Sequence, residues 1–313
     1  MHYLGTTISR RTMLGGGMAV ASAALGLGGC SATETPSMSA PASDGVSHVP
    51  TTSSVSTPPA TTPGSVVVEE HGFTSAGNRI FGKLRRPAGD GEHPVVIFSH
   101  GFGGNHEQKL HLQELLAQHG VAVYSFDFAG GSGYGLGRSE GNMTDMSVLT
   151  EVQNLQDALT FVKSLEGVDP TRITLIGASQ GGTVTTLVAE QNPVGVEHIV
   201  LFYPAFSLFD DARQRFTTAS DIPETVDFMG LTVGRRYYAD MLDMDIYDHM
   251  AGYHGTVTIF HGTDDNLVPL SYSQRAVTTF SHATLTPLDG EGHGFSTAAQ
   301  ETVAFAILPT IMS

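Results

Sequence analysis

The sequence predicts an α/β protein in which helices cover both faces of a mostly parallel β-sheet. Three observations support this prediction. Short β-branched runs alternate with helix-length amphipathic stretches, no repeat of 20–50 residues is visible, and 40% of the 313 residues are hydrophobic. That apolar fraction is typical of a globular protein.

The predicted strands are short runs rich in β-branched residues. They lie at 65–70, 79–85, 94–99, 121–127, 172–176, 198–202, 256–261 and 283–288. Only a turn separates the first two, as in an antiparallel hairpin. Amphipathic stretches typical of helices lie at about 105–119, 147–166, 180–192, 271–280 and 296–308. Because strand and helix alternate after the hairpin, we expect an eight-stranded, mostly parallel sheet.

One interval breaks this alternation. About 50 residues, 205–255, separate the sixth and seventh predicted strands, and they are rich in Phe, Tyr, Met and Asp. We expect this segment to form a cap over the carboxyl edge of the sheet, where α/β folds bind ligands.

Composition and charge exclude several classes of function. The chain has 15 Lys and Arg against 31 Asp and Glu, so its surface should repel phosphate backbones and nucleic-acid binding is not expected. Cys30 is the single cysteine, which excludes intramolecular disulfides and any Cys-based zinc or iron–sulfur site. No metal and no cofactor is implied.

The amino terminus has the pattern of an export signal. Arg10 and Arg11 precede an uncharged, small and apolar run over 15–29, which indicates a signal peptide over 1–29 that uses the twin-arginine route. The run ends at Cys30 as a bacterial lipobox does. We expect the mature chain to be lipid-anchored there, on the outer face of the cytoplasmic membrane. The alternative is an uncleaved anchor, or cleavage at another position.

The next segment, 30–64, is predicted to be a disordered stalk. From Ser31 to Gly64, 27 of 34 residues are Ser, Thr, Pro, Ala or Gly, and such a composition cannot bury enough apolar surface to fold. A folded domain is therefore expected over 65–313.

A serine lies between glycines at the end of a predicted strand. The segment GASQGG, 177–182, directly follows the run 172–176 and opens a predicted helix, which is the context of a nucleophile elbow with Ser179 as nucleophile. A second match to G-x-S-x-G surrounds Ser139, but no apolar strand precedes it. We therefore predict that Ser179 is the nucleophile and that Ser139 is a loop residue.

Two further segments supply the groups that such a serine requires. SHGFGG follows the strand 94–99, and its Phe102 amide, together with that of Gln180, could stabilise an oxyanion; the alternative is a simple strand-to-helix turn. A serine hydroxyl also needs an imidazole base oriented by a carboxylate. His293 follows the last strand, and Asp264 and Asp265 follow the one before it.

From about Gly72 to Phe295, the chain resembles bacterial serine esterases of the α/β-hydrolase superfamily, particularly the cinnamoyl or feruloyl esterase group. The resemblance is carried by SHGFGGN, YSFDFAG, GRSEGNMTDMSV, GASQGG, HGTDDNLVP and GEGHGF. It implies the α/β-hydrolase fold and the triad order Ser179, Asp265, His293. The loop pattern H-G-x-x-D-x-x-V of these esterases favours Asp265 over Asp264 as the acid.

The resemblance also implies a substrate class. In such esterases an acid and a tyrosine of the cap contact the phenolic ring of the substrate, and by local pattern these would be Asp211 and Tyr237. Two departures are that Ala178 stands where the group usually has His and that the glycine-rich loop 129–137 is longer.

The sequence therefore predicts a carboxylic-ester hydrolase with an acyl-serine intermediate, acting on a small-molecule ester such as a hydroxycinnamate. The alternatives are a general short-chain carboxylesterase, an acyltransferase and a peptidase of the prolyl-oligopeptidase type. Peptidases of that type usually carry a large amino-terminal propeller, for which the first 64 residues leave no room. A lipoprotein that only binds a ligand would be expected to lack a triad member. The oligomeric state stays open.

Overall fold

The computed structural model describes residues 63–135, 137–192 and 195–313. The predicted signal peptide, the predicted lipidation residue Cys30 and the predicted stalk as far as residue 62 lie outside the described residues. Within these residues, no helix is both long and apolar enough to cross a bilayer.

The strands are short and most are buried. In chain order they are β1 (Val66–Glu70), β2 (Phe73–Ser75), β3 (Asn78–Ile80), β4 (Gly82–Pro87), β5 (His93–Ser99), β6 (Ala122–Phe126), β7 (Val168–Ala178), β8 (His198–Phe202), β9 (Thr225–Phe228), β10 (Leu231–Gly234), β11 (Thr256–Gly262) and β12 (Ala283–Leu288).

The helices alternate with the central strands. They are α1 (Leu110–Gln118), α2 (Val148–Val162), α3 (Gln180–Gln191), α4 (Leu208–Arg215), α5 (Arg235–Leu242), α6 (Ile246–Met250), α7 (Leu270–Thr279) and α8 (Thr297–Met312). Short 3-10 turns lie at Met143–Asp145 and Ala219–Asp221.

Eight strands form one sheet in the order β1-β4-β6-β5-β7-β8-β11-β12. The pairs β1–β4 and β4–β6 are antiparallel, and all later pairs are parallel. Two apolar clusters cover its faces: one includes side chains of α1 and α8, and the other includes side chains of α2, α3 and the cap. The predicted fold class is therefore confirmed.

Two predicted boundaries were wrong for local reasons. The run 79–85 is divided between β3, which forms a small hairpin with β2, and β4, which joins the main sheet. This extra hairpin separates the first two sheet strands. The helix predicted from 105 begins only at Leu110, because Lys109 has a φ of 60° and Asn105 accepts a hydrogen bond from the Glu107 amide in a local turn.

The cap lies between β8 and β11, as predicted, and contains α4, the β9–β10 hairpin, α5 and α6. Its apolar side chains belong to the same cluster as those of α2 and α3. The cap therefore shares its core with one face of the sheet.

Candidate active site

Ser179 stands in the turn that joins β7 to α3. Its φ is 54°, a conformation that L residues rarely adopt. A Cβ placed on Gly177 would lie 2.3 Å from the Gly181 carbonyl oxygen, and one on Gly181 would lie 2.4 Å from the Ser99 carbonyl oxygen. The flanking glycines are required because strand, turn and helix approach too closely for any side chain.

A continuous hydrogen-bond chain runs from this serine to an acid. His293 Nε2 lies 2.9 Å from Ser179 Oγ, and His293 Nδ1 lies 2.8 Å from Asp265 Oδ2. The other carboxylate oxygen, Oδ1, accepts hydrogen bonds from the amides of Leu267 and Val268, both at 2.9 Å. These two amides fix the carboxylate, which in turn orients the imidazole.

Asp265 is held in its charged form. Burial alone would raise its pKa, but hydrogen bonds from His261, His293 and the Val268 amide outweigh burial and hold the pKa of Asp265 below its usual range. His261 is buried between the Ser273 hydroxyl and the Val268 carbonyl, and its Nε2 lies 3.2 Å from Asp265 Oδ2, the oxygen that also contacts His293.

The alternative acid, Asp264, is exposed, and His293 Nδ1 is hydrogen-bonded to Asp265 rather than to Asp264.

Parallel strand register brings the triad together. Gly262 at the end of β11 pairs with Leu288 of β12, so the loops that carry Asp265 and His293 leave the same edge of the sheet. The ring of Tyr203, which follows β8, meets the His293 ring edge-on at a centroid distance of 4.6 Å. The imidazole is thereby packed as well as hydrogen-bonded.

The loop after β5 lies beside the elbow. Ser99 pairs with Gly177 in the sheet, so the residues that follow each strand leave it side by side. The Gly101 amide donates to Gln108 Oε1 at 2.8 Å, which fixes the start of this loop. Phe102, the residue after Gly101, lines the same pocket as Ser179. The structure therefore brings both predicted oxyanion donors, Phe102 and Gln180, to one pocket.

The pocket at Ser179 is small and mainly apolar, with a volume of about 70 Å³. Its walls are Phe102, Ser179, Gln180, Ala205, Ser207, Leu208, Asp211, Phe228, Met229, Leu267 and Val268. Asp211 is a wall residue with an exposed side chain. A larger cleft of about 490 Å³ is lined by none of these residues. Among the described residues, no cluster of three His, Cys, Asp or Glu side chains could hold a metal ion.

Tyr237 lies behind the pocket wall rather than in it. Its side chain is fully buried, and its hydroxyl donates to Gln180 Oε1 at 2.8 Å. The Gln180 Nε2 group donates to Glu151 Oε2, also at 2.8 Å. Sequence reasoning missed Glu151. The signal that could have found it is an acid on the apolar face of α2, next to Val148 and Val152.

Sequence reasoning also missed most of the pocket wall. Met229 and Leu267 are large apolar side chains at the pocket that are 46% and 47% exposed. Met229 sits in the cap hairpin and Leu267 follows β11, so no local pattern in the sequence places them together.

Comparison with known proteins finds one family model that matches part of the chain, and relatives that match about two thirds of it. Residues 91–226 match the Hydrolase_4 family model, described as serine aminopeptidase, S33. An uncharacterized protein of Mycobacterium tuberculosis is 27% identical over 215 residues, which cover 68% of this chain and 65% of that protein. The chain thus spans just under two thirds of the length of that relative.

Two solved structures give the fold. Est1E from Butyrivibrio proteoclasticus with ferulic acid bound has a TM-score of 0.69 at 24% identity, covering 77% of this chain and 97% of that one. Acetyl xylan esterase 1 from Thermoanaerobacterium sp. JW/SL YS485 has a TM-score of 0.58 at 18% identity, covering 80% and 89%. The chain therefore has the α/β-hydrolase fold, and the part that matches the serine aminopeptidase model extends from β5 into the cap.

Proposed function

We propose that the protein is a carboxylic-ester hydrolase that works through an acyl-Ser179 intermediate. The observation that carries the proposal is the chain of hydrogen bonds from Asp265 through His293 to Ser179, whose hydroxyl opens onto an apolar pocket. Hydrogen-bonded imidazole is the base that a serine hydroxyl needs in order to attack at neutral pH.

The geometry supports a two-step acyl transfer. Ser179 Oγ attacks the ester carbonyl while His293 Nε2 takes its proton, and Asp265 stabilises the imidazolium that forms. The amides of Phe102 and Gln180 receive the negative charge on the carbonyl oxygen. His293 then returns the proton to the departing alkoxide. In the second step His293 deprotonates a water molecule, which attacks the acyl group; the bond to Ser179 Oγ then breaks, His293 returns the proton to that oxygen, and the acid is released.

The pocket walls favour a substrate with an apolar acyl group, and Asp211 is the one acid among the wall residues. Its walls include Phe102, Phe228 and Met229, which can pack against an aryl ring, and Asp211 could accept a hydrogen bond from a ring hydroxyl. We propose hydroxycinnamate esters as one substrate class. The small volume favours the second class, short-chain esters, because pockets for larger ligands usually hold roughly 300–1,000 Å³.

The test is a panel of p-nitrophenyl acyl esters, methyl hydroxycinnamates and aminoacyl anilides. We expect hydrolysis of esters and not of anilides. For the aryl class, Asp211→Ala should lower the kcat/KM ratio of methyl caffeate over methyl cinnamate, because a pairing partner for the ring hydroxyl is lost. An unchanged ratio favours the short-chain class, and efficient anilide hydrolysis would favour a peptidase over an esterase.

We also propose that the chain is exported and lipid-anchored through Cys30, on the basis of the signal pattern alone. Expressed in a bacterium, the full chain should partition with membranes and take up labelled fatty acid. Cys30→Ser should abolish this labelling. Replacing Arg10 and Arg11 by Lys should block export by the twin-arginine route, and unchanged export of that variant would favour the general secretory route.

A further inference from the structure

The carboxamide of Gln180 is held at both ends by buried side chains. Tyr237 donates to its oxygen, its nitrogen donates to Glu151, and both distances are 2.8 Å. Tyr237 is 0% exposed, and Glu151 and Gln180 are 1% exposed. Gln180 is the residue whose backbone amide we assign to the oxyanion, so this chain of hydrogen bonds ends on the residue that carries that donor.

Glu151 is a buried acid with one hydrogen-bond partner. Its Oε2 accepts from Gln180, and its Oε1 has no partner among the described residues. Burial raises the pKa of Glu151 to about 8, and the hydrogen bond from Gln180 offsets only part of this effect. The side chain is therefore a neutral acid at neutral pH, since a buried carboxylate with a single partner is costly.

The groups that face Glu151 stay neutral over the same pH range. His100, on the loop after β5, donates from Nδ1 to the Gly101 carbonyl and accepts at Nε2 from the Phe128 amide. Burial lowers the pKa of His100, and burial raises that of Tyr237, on α5, well above its usual range. The facing residue of α3 is the uncharged Gln180, and that of the loop after β6 is Gly131.

We propose that Glu151 is a positioning residue that, as a neutral acid, holds Gln180 so that its backbone amide points at the developing oxyanion. This inference rests on the proposed ester hydrolysis. When Glu151 ionises, a negative charge arises one side chain behind the oxyanion and disfavours it. The rate should then fall as the pH rises past the titration of Glu151.

The experiment compares kcat, KM and their pH dependence in the wild type and four variants. Glu151→Gln keeps a neutral acceptor for Gln180, so kcat should stay near the wild-type value and the alkaline fall should disappear. Glu151→Leu should lower kcat roughly tenfold to a hundredfold with KM nearly unchanged. This loss in kcat is smaller than that expected when an oxyanion donor is removed outright. Tyr237→Phe releases the other end of Gln180 and should act in the same direction.

Asn154 provides a matched control on the same helix. It is also 1% exposed and bridges the Ala129 amide and the Ser75 hydroxyl. Asn154→Leu should lower Tm and leave kcat and the pH profile unchanged.

The inference is overturned if Glu151→Gln keeps the alkaline fall, or if Glu151→Leu and Tyr237→Phe both keep the wild-type kcat. It is equally overturned if Asn154→Leu reproduces the kinetic changes, since the effect would then be general loosening. A wild type without esterase activity contradicts the proposed function instead.

A second, independent observation concerns the tip of the cap hairpin. Met229 and Gly230 form its two-residue turn with φ values of 50° and 78°, and the exposed Met229 lines the pocket. Ala76 and Gly77 form the same kind of turn between β2 and β3, with φ values of 47° and 84°. Asn is the preferred first residue of such turns, so Met229 is a poor local choice.

We infer that Met229 is a specificity-determining residue that provides an apolar contact for the acyl group of the proposed ester substrate. Met229→Asn and Ala76→Asn should both raise Tm by a few degrees, because each relieves the same strained turn. Only Met229→Asn should lower the kcat/KM ratio of p-nitrophenyl hexanoate over p-nitrophenyl acetate, roughly fivefold for the lost apolar contact. An unchanged ratio in Met229→Asn, or an equal change in Ala76→Asn, overturns this inference. Absence of hydrolysis of both esters by the wild type contradicts the proposed function.

Discussion

Two segments of this chain share the pattern G-x-S-x-G and have different structures. Ser179 follows a buried strand and precedes a helix, and its own φ is 54°. Its Oγ lies 2.9 Å from His293 Nε2. Ser139 lies in a loop, where its hydroxyl donates to the Asp127 carbonyl at 2.6 Å and accepts from the Phe81 amide at 2.8 Å. Ser179 therefore lines a pocket, whereas Ser139 joins its loop to backbone groups at the ends of β4 and β6.

This difference shows what makes a serine a candidate nucleophile. Both are flanked by glycines, yet only Ser179 is placed by a strand end within reach of a base. The Ser139 hydroxyl uses both its donor and an acceptor site on backbone groups. The strand that enters the motif, rather than the glycines, distinguishes the two, because it directs the turn to the carboxyl edge of the sheet.

The largest expected effect comes from exchanging the two serines for alanine. Ser179→Ala should lower kcat/KM for an activated ester by roughly 10⁴- to 10⁶-fold, because triad members act as a unit. Ser139→Ala should keep most of the activity. The measurement is initial hydrolysis rates with purified variants of matched concentration. The reverse result would reassign the nucleophile.

The neighbouring acids Asp264 and Asp265 are a second pair of like residues with different surroundings. Asp265→Asn should lower kcat roughly 10³- to 10⁴-fold, because an amide cannot hold His293 in the required tautomer. Asp264→Asn should leave kcat close to wild type, since Asp264 is exposed and His293 bonds to Asp265. Steady-state kinetics of the two variants decide between the acids, and equal losses would mean that both act on the imidazole.

The pH dependence tests the imidazole contact, which distinguishes Ser179 from Ser139. Only neutral imidazole can accept the serine proton, so kcat/KM should fall about tenfold per pH unit at acidic pH, where the base is protonated. The profile is measured from about pH 5 to 7, below the alkaline effect proposed for Glu151, whose pKa burial raises to about 8. A flat profile would argue against a histidine base.

The smallest expected effect is on stability, where substitution of Ser139 should cost more than substitution of Ser179. Ser139→Ala leaves the Phe81 amide and the Asp127 carbonyl without their partner, so it should cost roughly 1–3 kcal/mol. Tm should fall by several degrees. Ser179→Ala removes no such bridge and should change Tm less. Thermal unfolding of both variants checks this, and equal Tm values would contradict a structural role for Ser139.

The sheet, the helices and the chain order of the site residues can all be predicted from local features of the amino-acid sequence. The spacing of apolar residues indicates which faces of strands and helices are buried. The ends of strands are also visible locally, so Ser179, Asp265 and His293 could each be placed at a strand end. The two boundaries that were predicted wrongly also have local causes. The β2–β3 hairpin and the late start of α1 depend on turn conformations that hydrophobic patterns do not encode.

Which side chains share a buried space depends on packing between elements that are distant in the chain. The bond from Tyr237 to Gln180 joins residues 57 positions apart, and that from Gln180 to Glu151 joins residues 29 apart. A resemblance suggested Tyr237 as a substrate contact, whereas packing of the cap puts its hydroxyl behind the pocket wall. Contacts between distant elements follow from how helices, sheet and cap pack against one another, and no local pattern in the chain records that packing.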